Sequence, residues 1–242
     1  MNINNELKRI YENHWEGLLK ELYAFEQKEE YTSPLLLKFP EKYFKPQNKR
    51  IMFFGQETRG WLNKIDDKLK SIDVIMSGYE RYFIENDMKY KDKATQKMIS
   101  RSSFRSGILN LRKGLKKRNL EVDLIWNNIN KIGRHHEKVG VNSQVKNIEI
   151  EKFNIISQEL EILNPDFLVF FTGPYRDREI IQKFPNFIIK KHPNFKTKEL
   201  ILLENSEGRI VGLRTYHPNY LRGFYSMLEP HCLDIILENI NL

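Results

Sequence analysis

Cysteine is almost absent: Cys232 is the single thiol in a chain of 242 residues. One thiol excludes internal disulfides, a Cys-ligated zinc site and an iron–sulfur cluster held by this chain. Its expected place is the last helix, packed as a small hydrophobe. Long apolar runs are missing too, and none approaches the roughly 20 residues that a membrane span needs. The opening stretch MNINNELKRIYENHW has no apolar signal-peptide core, so a cytoplasmic protein without a membrane partner is expected. There is no Pro/Gly/Ser-rich linker, low-complexity tract or repeat period, which favours a single domain over residues 1–242. Neither G-x-x-x-x-G-K nor G-x-G-x-x-G occurs, which argues against a nucleotide-binding enzyme on a generic α/β sheet.

What is present is a core and an excess of positive charge. A hydrophobic share of 40% beside 30% charged residues is that of a globular chain. The formal net charge of +8 points to a polyanionic partner. Between residues 86 and 118 stand 11 Lys/Arg against 2 Asp, so the whole excess falls in one window. That window reads either as a solvated basic helix face or as a phosphate-binding surface.

Apolar residues recur at helical spacing over residues 5–28 (Leu7, Ile10, Tyr11, Trp15, Leu18, Leu19, Leu22, Phe25), predicting an N-terminal helix. A proline-punctuated connector leads to a short strand, IMFF, which runs into Gly55-Gln56-Glu57-Thr58-Arg59-Gly60-Trp61. Residues 62–101 form a lysine-rich insert, mainly helical in pattern. A serine opens the next helix, over 102–119, with Phe104, Ile108, Leu111 and Leu115 on one face and Arg105, Arg112 and Lys116 on the other. EVDLIWNNI is a second apolar strand, and a helix over 148–163 is stopped by Asn164-Pro165. DFLVFFTGPY is a third strand; ELILLENSEGRIVGLRTYH is a strand pair that ends at His217-Pro218; the last helix covers 228–239.

Continuous apolar strands alternating with helices indicate a mainly parallel α/β sheet, in which ligands bind beyond the carboxyl ends of the strands. Four such ends finish in polar or glycine turns: Gly55-Gln56-Glu57, Asn127-Asn128, Thr172-Gly173-Pro174 and Tyr216-His217-Pro218-Asn219. On one rim, these turns are where a site is expected.

Each residue there has two readings. Glu57 is a general base or electrostatic stabiliser, or a plain turn residue. His217, on a rigid His-Pro corner, is a donor to a developing anion, or structural. Asn127 and Asn128 each offer a donor and an acceptor to a base edge, or cap the turn. Phe54, Trp61 and Tyr175 are stacking surfaces for a planar ligand, Phe54 equally a core ring. His135-His136-Glu137 holds adjacent histidines that diverge and finds no third ligand at suitable spacing, so no metal is expected.

Taken in order, the motifs resemble those of the uracil-DNA glycosylase superfamily. Gly55-Gln56-Glu57-Thr58-Arg59-Gly60 is similar to the family's G-Q-D-P-Y-H, and His217-Pro218-Asn219-Tyr220-Leu221, followed by Arg222-Gly223-Phe224-Tyr225, to its H-P-S-P-L and R-G-F-F. Between them, SSFRSGILNLRKGL, VDLIWNNINKIG and LVFFTGPY are similar to the helix, base-reading strand and glycine-ended strand of that family. The resemblance covers roughly residues 50–240 and rests on order and placement more than on any one motif.

It implies a three-layer α/β/α fold around a central, mainly parallel four-stranded sheet, with no cofactor, and a monomer that acts on DNA. Gln56 would line the base pocket and Glu57 would orient water and stabilise the sugar cation. Asn127 or Asn128 would bond the flipped base, and His217 would stabilise the departing base anion. Pro218, Asn219, Tyr220, Leu221 and Arg222 would enter the minor groove, with Tyr220 or Leu221 as the wedge, while Arg105, Arg112 and Lys116 hold phosphates. Thr58-Arg59 stand where the family has Pro-Tyr, whose tyrosine excludes a 5-methyl group. That change opens the pocket beside C5 and sets Arg59 to bond a polar substituent. The expected substrate is therefore uracil or a bulkier 5-substituted pyrimidine such as glucosylated 5-hydroxymethylcytosine, the target of bacterial antiviral defence glycosylases in the superfamily. The alternative is a catalytically silent DNA-binding module of the same fold.

Overall fold

The computed structural model describes residues 2–26, 30–58, 60–62, 65, 71–91, 95–100, 102–135, 140–220 and 223–240. In chain order its elements are α1 (Ile3–Ala24), β1 (Lys49–Gly55), α2 (Ile72–Tyr79), β2 (Tyr90–Lys91), β3 (Met98–Ile99), α3 (Ser103–Lys117), β4 (Val122–Asn128), α4 (Ser143–Lys152), α5 (Ile156–Leu163), β5 (Phe167–Phe170), α6 (Asp177–Lys183), β6 (Ile188–Lys191), β7 (Leu200–Glu204), β8 (Ile210–Thr215) and α7 (Glu229–Asn239). The result is a mixed α/β protein with a mainly parallel central sheet, compatible with three α/β/α layers. Among the described residues no helix is long and apolar enough to cross a membrane.

The chain divides into two compact units. A sheet unit comprises Lys42–Gln56, Ser100–Asn127 and Asn164–Leu242; a helical unit comprises Met1–Glu41, Glu57–Ile99 and Asn128–Leu163. The sheet runs β4-β1-β5-β8-β7-β6, six strands where four were expected. β1 pairs with β5 and β5 with β8 in parallel, while β7 and β6 extend the sheet antiparallel. The added edge strand, β6 (IIKK), is exposed at every position, so it shows no apolar alternation, and its lysines blunt the open edge. At the middle of the sheet Phe54 stacks on Phe170 (4.5 Å, 6°) and meets Phe184 edge-on, while Phe53 packs against Phe171. Each buried ring contributes about 1.5–3 kcal/mol through the water it excludes. Cys232 is buried in α7, as expected, and burial pushes its thiol pKa far above the usual range.

In the helical unit, α1 opens on the Asn2 cap and ends at Ala24, short of the expected 28. Its apolar face packs against α4, α5 and α2. The helix expected over 148–163 is two helices. Phe153 is drawn out between them to pack on Tyr11, His14 and Trp15, a tertiary contact that local propensity does not foresee. Within the insert, α2 continues as a π-helical segment, Glu80–Glu85, and positive φ at Asp87 and Met88 ends it; a hairpin of β2 and β3 follows, so the insert is not helical throughout. Lys131 and Glu159, both fully buried, pair at 2.6 Å, and the Tyr11 hydroxyl donates to the same carboxylate (2.8 Å) while accepting from Leu37 N–H. Burial of two charges is tolerated because each finds its partner.

Candidate active site

In the sheet unit the carboxyl ends of β1, β5 and β8 are tied together. Phe171 N–H donates to the Phe54 carbonyl (2.9 Å) and Gly173 N–H to that of Thr215 (3.0 Å). The Gln56 side-chain amide donates to the Thr172 carbonyl (2.8 Å), locking the turn after β1 to the turn after β5. Gly173 has φ +69°, a conformation open to glycine at little cost. The Thr172 hydroxyl is buried with no hydrogen-bond partner among the described residues. An orphan of this kind costs about 1–3 kcal/mol unless a ligand or water satisfies it.

His217 occupies the corner after β8. Its ring stacks on Phe104 of α3 (6.1 Å, 24°), and Nδ1 accepts a hydrogen bond from Asn219 N–H (3.1 Å). A nitrogen that accepts carries no proton, so the neutral ring bears its proton on Nε2. Burial lowers the imidazole pKa below its usual value, favouring that neutral form. The corner therefore presents a neutral Nε2–H donor. Gly107 of α3 makes it possible: a Cβ there would lie 2.3 Å from Pro218 Cγ, so only glycine lets the helix approach.

In the helical unit Glu57 is half-buried, and its Oε1 accepts from Gly140 N–H (2.9 Å). The loop that carries it is fixed by backbone contact. Gly60 N–H donates to Arg134 O (3.1 Å), and Gly133 lies so close to Thr58 that a Cβ would stand 1.7 Å from its carbonyl oxygen. The strip 131–134 is itself pinned on its other side, since Thr32 N–H donates to Gly133 O (2.9 Å) and Leu35 N–H to Lys131 O (2.8 Å).

Several expected roles need correction. Phe54 is a core ring, fully enclosed by Phe170 and Phe184, and offers no face to a ligand. Trp61 is buried at 7% exposure and meets Tyr82 edge-on, because the loop folds its indole inward. Pro218 is buried against Gly107 and acts by packing. Tyr220, one of the two wedge residues, stacks on Tyr216 (4.0 Å, 14°). Asn127 and Asn128 both belong to β4, so their side chains point to opposite faces; Asn127 is fully buried with its amide 3.7 Å from Met52 Sδ. Asn219 is exposed. Arg59, Leu221, Arg222, His136 and Glu137 lie outside the described residues. Among those described, no group of three His, Cys, Asp or Glu side chains is placed to hold a metal ion.

α3 carries the basic face. Arg112, Lys113 and Lys117 are exposed, Arg105 is half-buried, and Lys116 pairs with Glu121 (2.7 Å). Lys113, Lys117 and Arg118 line an open groove of about 330 Å³ against α7, with Glu229 on its far side. Burial raises the Glu229 pKa against the opposing pull of its hydrogen bond with Asn110. The sequence assigned no site role to Phe104, Gly107 or the Thr172 hydroxyl. For Gly107 the signal was a glycine in mid-helix, which is unfavourable there unless something must come close, and for Thr172 it was a place in one of the four strand-end turns.

Family models, curated proteins and solved structures all fail to match the chain.

Proposed function

We propose that the protein is a monofunctional DNA glycosylase of the uracil-DNA glycosylase kind, which flips a modified pyrimidine out of DNA and hydrolyses its N-glycosidic bond. The observation that carries this reading is His217: a neutral imidazole, held by Phe104 and Asn219, whose Nε2–H is set to receive negative charge. When an N-glycosidic bond breaks, the base leaves as an anion and the sugar becomes cationic. A preorganised neutral donor stabilises the first without repelling the second.

Glu57 supplies the complementary charge in this scheme. It follows Gln56 directly in the chain, and its carboxylate is oriented by Gly140 N–H. It stabilises the sugar cation and directs the attacking water. The buried, unpartnered Thr172 hydroxyl is a group that a bound base would satisfy. Uracil and bulkier 5-substituted pyrimidines are the substrate class, and the basic face of α3 supplies sequence-independent affinity.

The test is a base-release assay on DNA containing uracil, unmodified bases or glucosylated 5-hydroxymethylcytosine. Release from one modified DNA is expected. Glu57→Gln and His217→Ala should each lower it by about 10²–10³-fold, the usual loss on removing one such stabilising group. Salt-dependent DNA binding without release of any base would overturn the reading.

A further inference from the structure

We propose that Tyr175, Tyr216 and Tyr220 form a shelf in the sheet unit on which unpaired bases of a single DNA strand stack. Tyr175 is 95% exposed, on the short turn that follows β5. A tyrosine normally buries most of its ring and leaves only the hydroxyl wet, so a fully presented ring is a surface awaiting a partner. Tyr216 and Tyr220 lie face to face at 4.0 Å and 14°, and both remain partly open to solvent.

The three rings share one place. Gly173 N–H holds the Tyr175 turn to Thr215, and a Cβ at Gly173 would stand 3.7 Å from the Tyr216 ring. Tyr175 also contributes to raising the Tyr216 hydroxyl pKa, after burial, Tyr220 and Glu199.

The charge of the unit that carries the shelf favours a polyanionic occupant. The sheet unit holds 21 Lys/Arg against 11 Asp/Glu, a net of +10. α3, the most basic helix of that unit, packs Phe104 on His217 and Gly107 on Pro218, next in the chain to Tyr216. Aromatic faces beside a cationic track are the means by which proteins hold single strands. Bases inside a duplex offer only their edges, whereas unpaired bases offer their faces. That the strand is DNA rests on the glycosylase reading; the stacking itself does not.

Fluorescence anisotropy with a labelled oligothymidine strand, and with an abasic strand of the same length and charge, separates stacking from charge. The wild type should bind oligothymidine more tightly. Tyr175→Ala and Tyr220→Ala should each weaken that binding at least about fivefold while leaving abasic-strand binding unchanged. Tyr175→Phe, which keeps the ring, should bind as the wild type does, and the exposure of Tyr175 makes its truncation harmless to the fold. Equal wild-type affinity for the two strands, or alanine variants that bind oligothymidine normally, would overturn the shelf. Anisotropy reads binding alone, and the base-release assay on unmodified DNA shows whether thymine is excised, so failure of the shelf and failure of the glycosylase reading are distinguishable.

Discussion

The two units hold nearly the same number of cations, 21 Lys/Arg in the sheet unit and 19 in the helical unit, yet very different numbers of anions, 11 and 21 Asp/Glu. Their net charges are therefore +10 and −2. The basic character of the protein comes from acids withheld from the sheet unit, more than from bases added to it. Both units bury a cation, but in different settings. Lys131 of the helical unit faces a carboxylate that is itself fully buried. Arg214 of the sheet unit forks onto Asp177 (2.7 and 2.6 Å), whose side chain keeps 28% of its surface in solvent, and its remaining donors reach the Thr197 and Lys198 carbonyls.

That difference sets the largest expected effect. Lys131→Met strands Glu159 without a counter-charge and should destabilise by about 3–5 kcal/mol. Arg214→Met leaves Asp177 able to hydrate, so a smaller loss is expected. Urea denaturation of both variants measures the contrast, and equal losses would show that the partner's burial is unimportant. Next come the two close-approach glycines. Gly133→Ala meets a backbone carbonyl and Gly107→Ala the edge of a proline ring; overpacking of this kind costs about 1–3 kcal/mol. Gly133→Ala should stand at the upper end, because a carbonyl cannot rotate away as a ring can shift. Both should lower base release, through the Glu57 loop and the His217 corner respectively.

The charge contrast gives a third test. Replacing Arg112 and Lys113 by Glu should flatten the salt dependence of single-strand binding by about 0.7 in log–log slope for each phosphate left without a cation. Lys20→Glu, on α1 of the helical unit, should leave the slope unaltered. The smallest effect is expected in pH. The folded pKa of His217 is depressed, so its contribution to stability is fully present above the unfolded value of about 6.5 and is lost as pH falls through the lower folded value. The acid limb of base release should accordingly lie below about pH 6.5, and activity that instead rises as pH falls through that range would show that His217 acts as the cation.

Much of the sheet was legible because β1 (IMFF), β4 (LIW) and β5 (FLVF) hold short continuous apolar runs bounded by turn residues, and β8 is joined to the apolar β7 (LILL) by a turn. Their polar ends marked the rim that holds Gln56 and His217. β6 was not legible, since two isoleucines followed by two lysines resemble any exposed segment. Nor was the break at Phe153, which follows from rings brought in by α1. Trp61 reads as a stacking surface in a polar loop, yet the fold turns its indole against Tyr82. The charge window at 86–118 caught α3 but not the imbalance between the units, because each unit is assembled from three separated stretches of chain.

By itself the sequence determined the α/β class, the order of the strand-end turns, the lone buried cysteine and the presence of a basic helix. All of these follow from local pattern: apolar period, turn chemistry and charge count. The tertiary structure alone decided that His217 Nδ1 accepts from Asn219 N–H on a ring whose pKa burial lowers, that Phe54 and Trp61 are enclosed while Tyr175 is presented, and that two glycines are contact points. These depend on which groups, far apart in the chain, come within hydrogen-bond or van der Waals range, and a linear pattern does not carry that information.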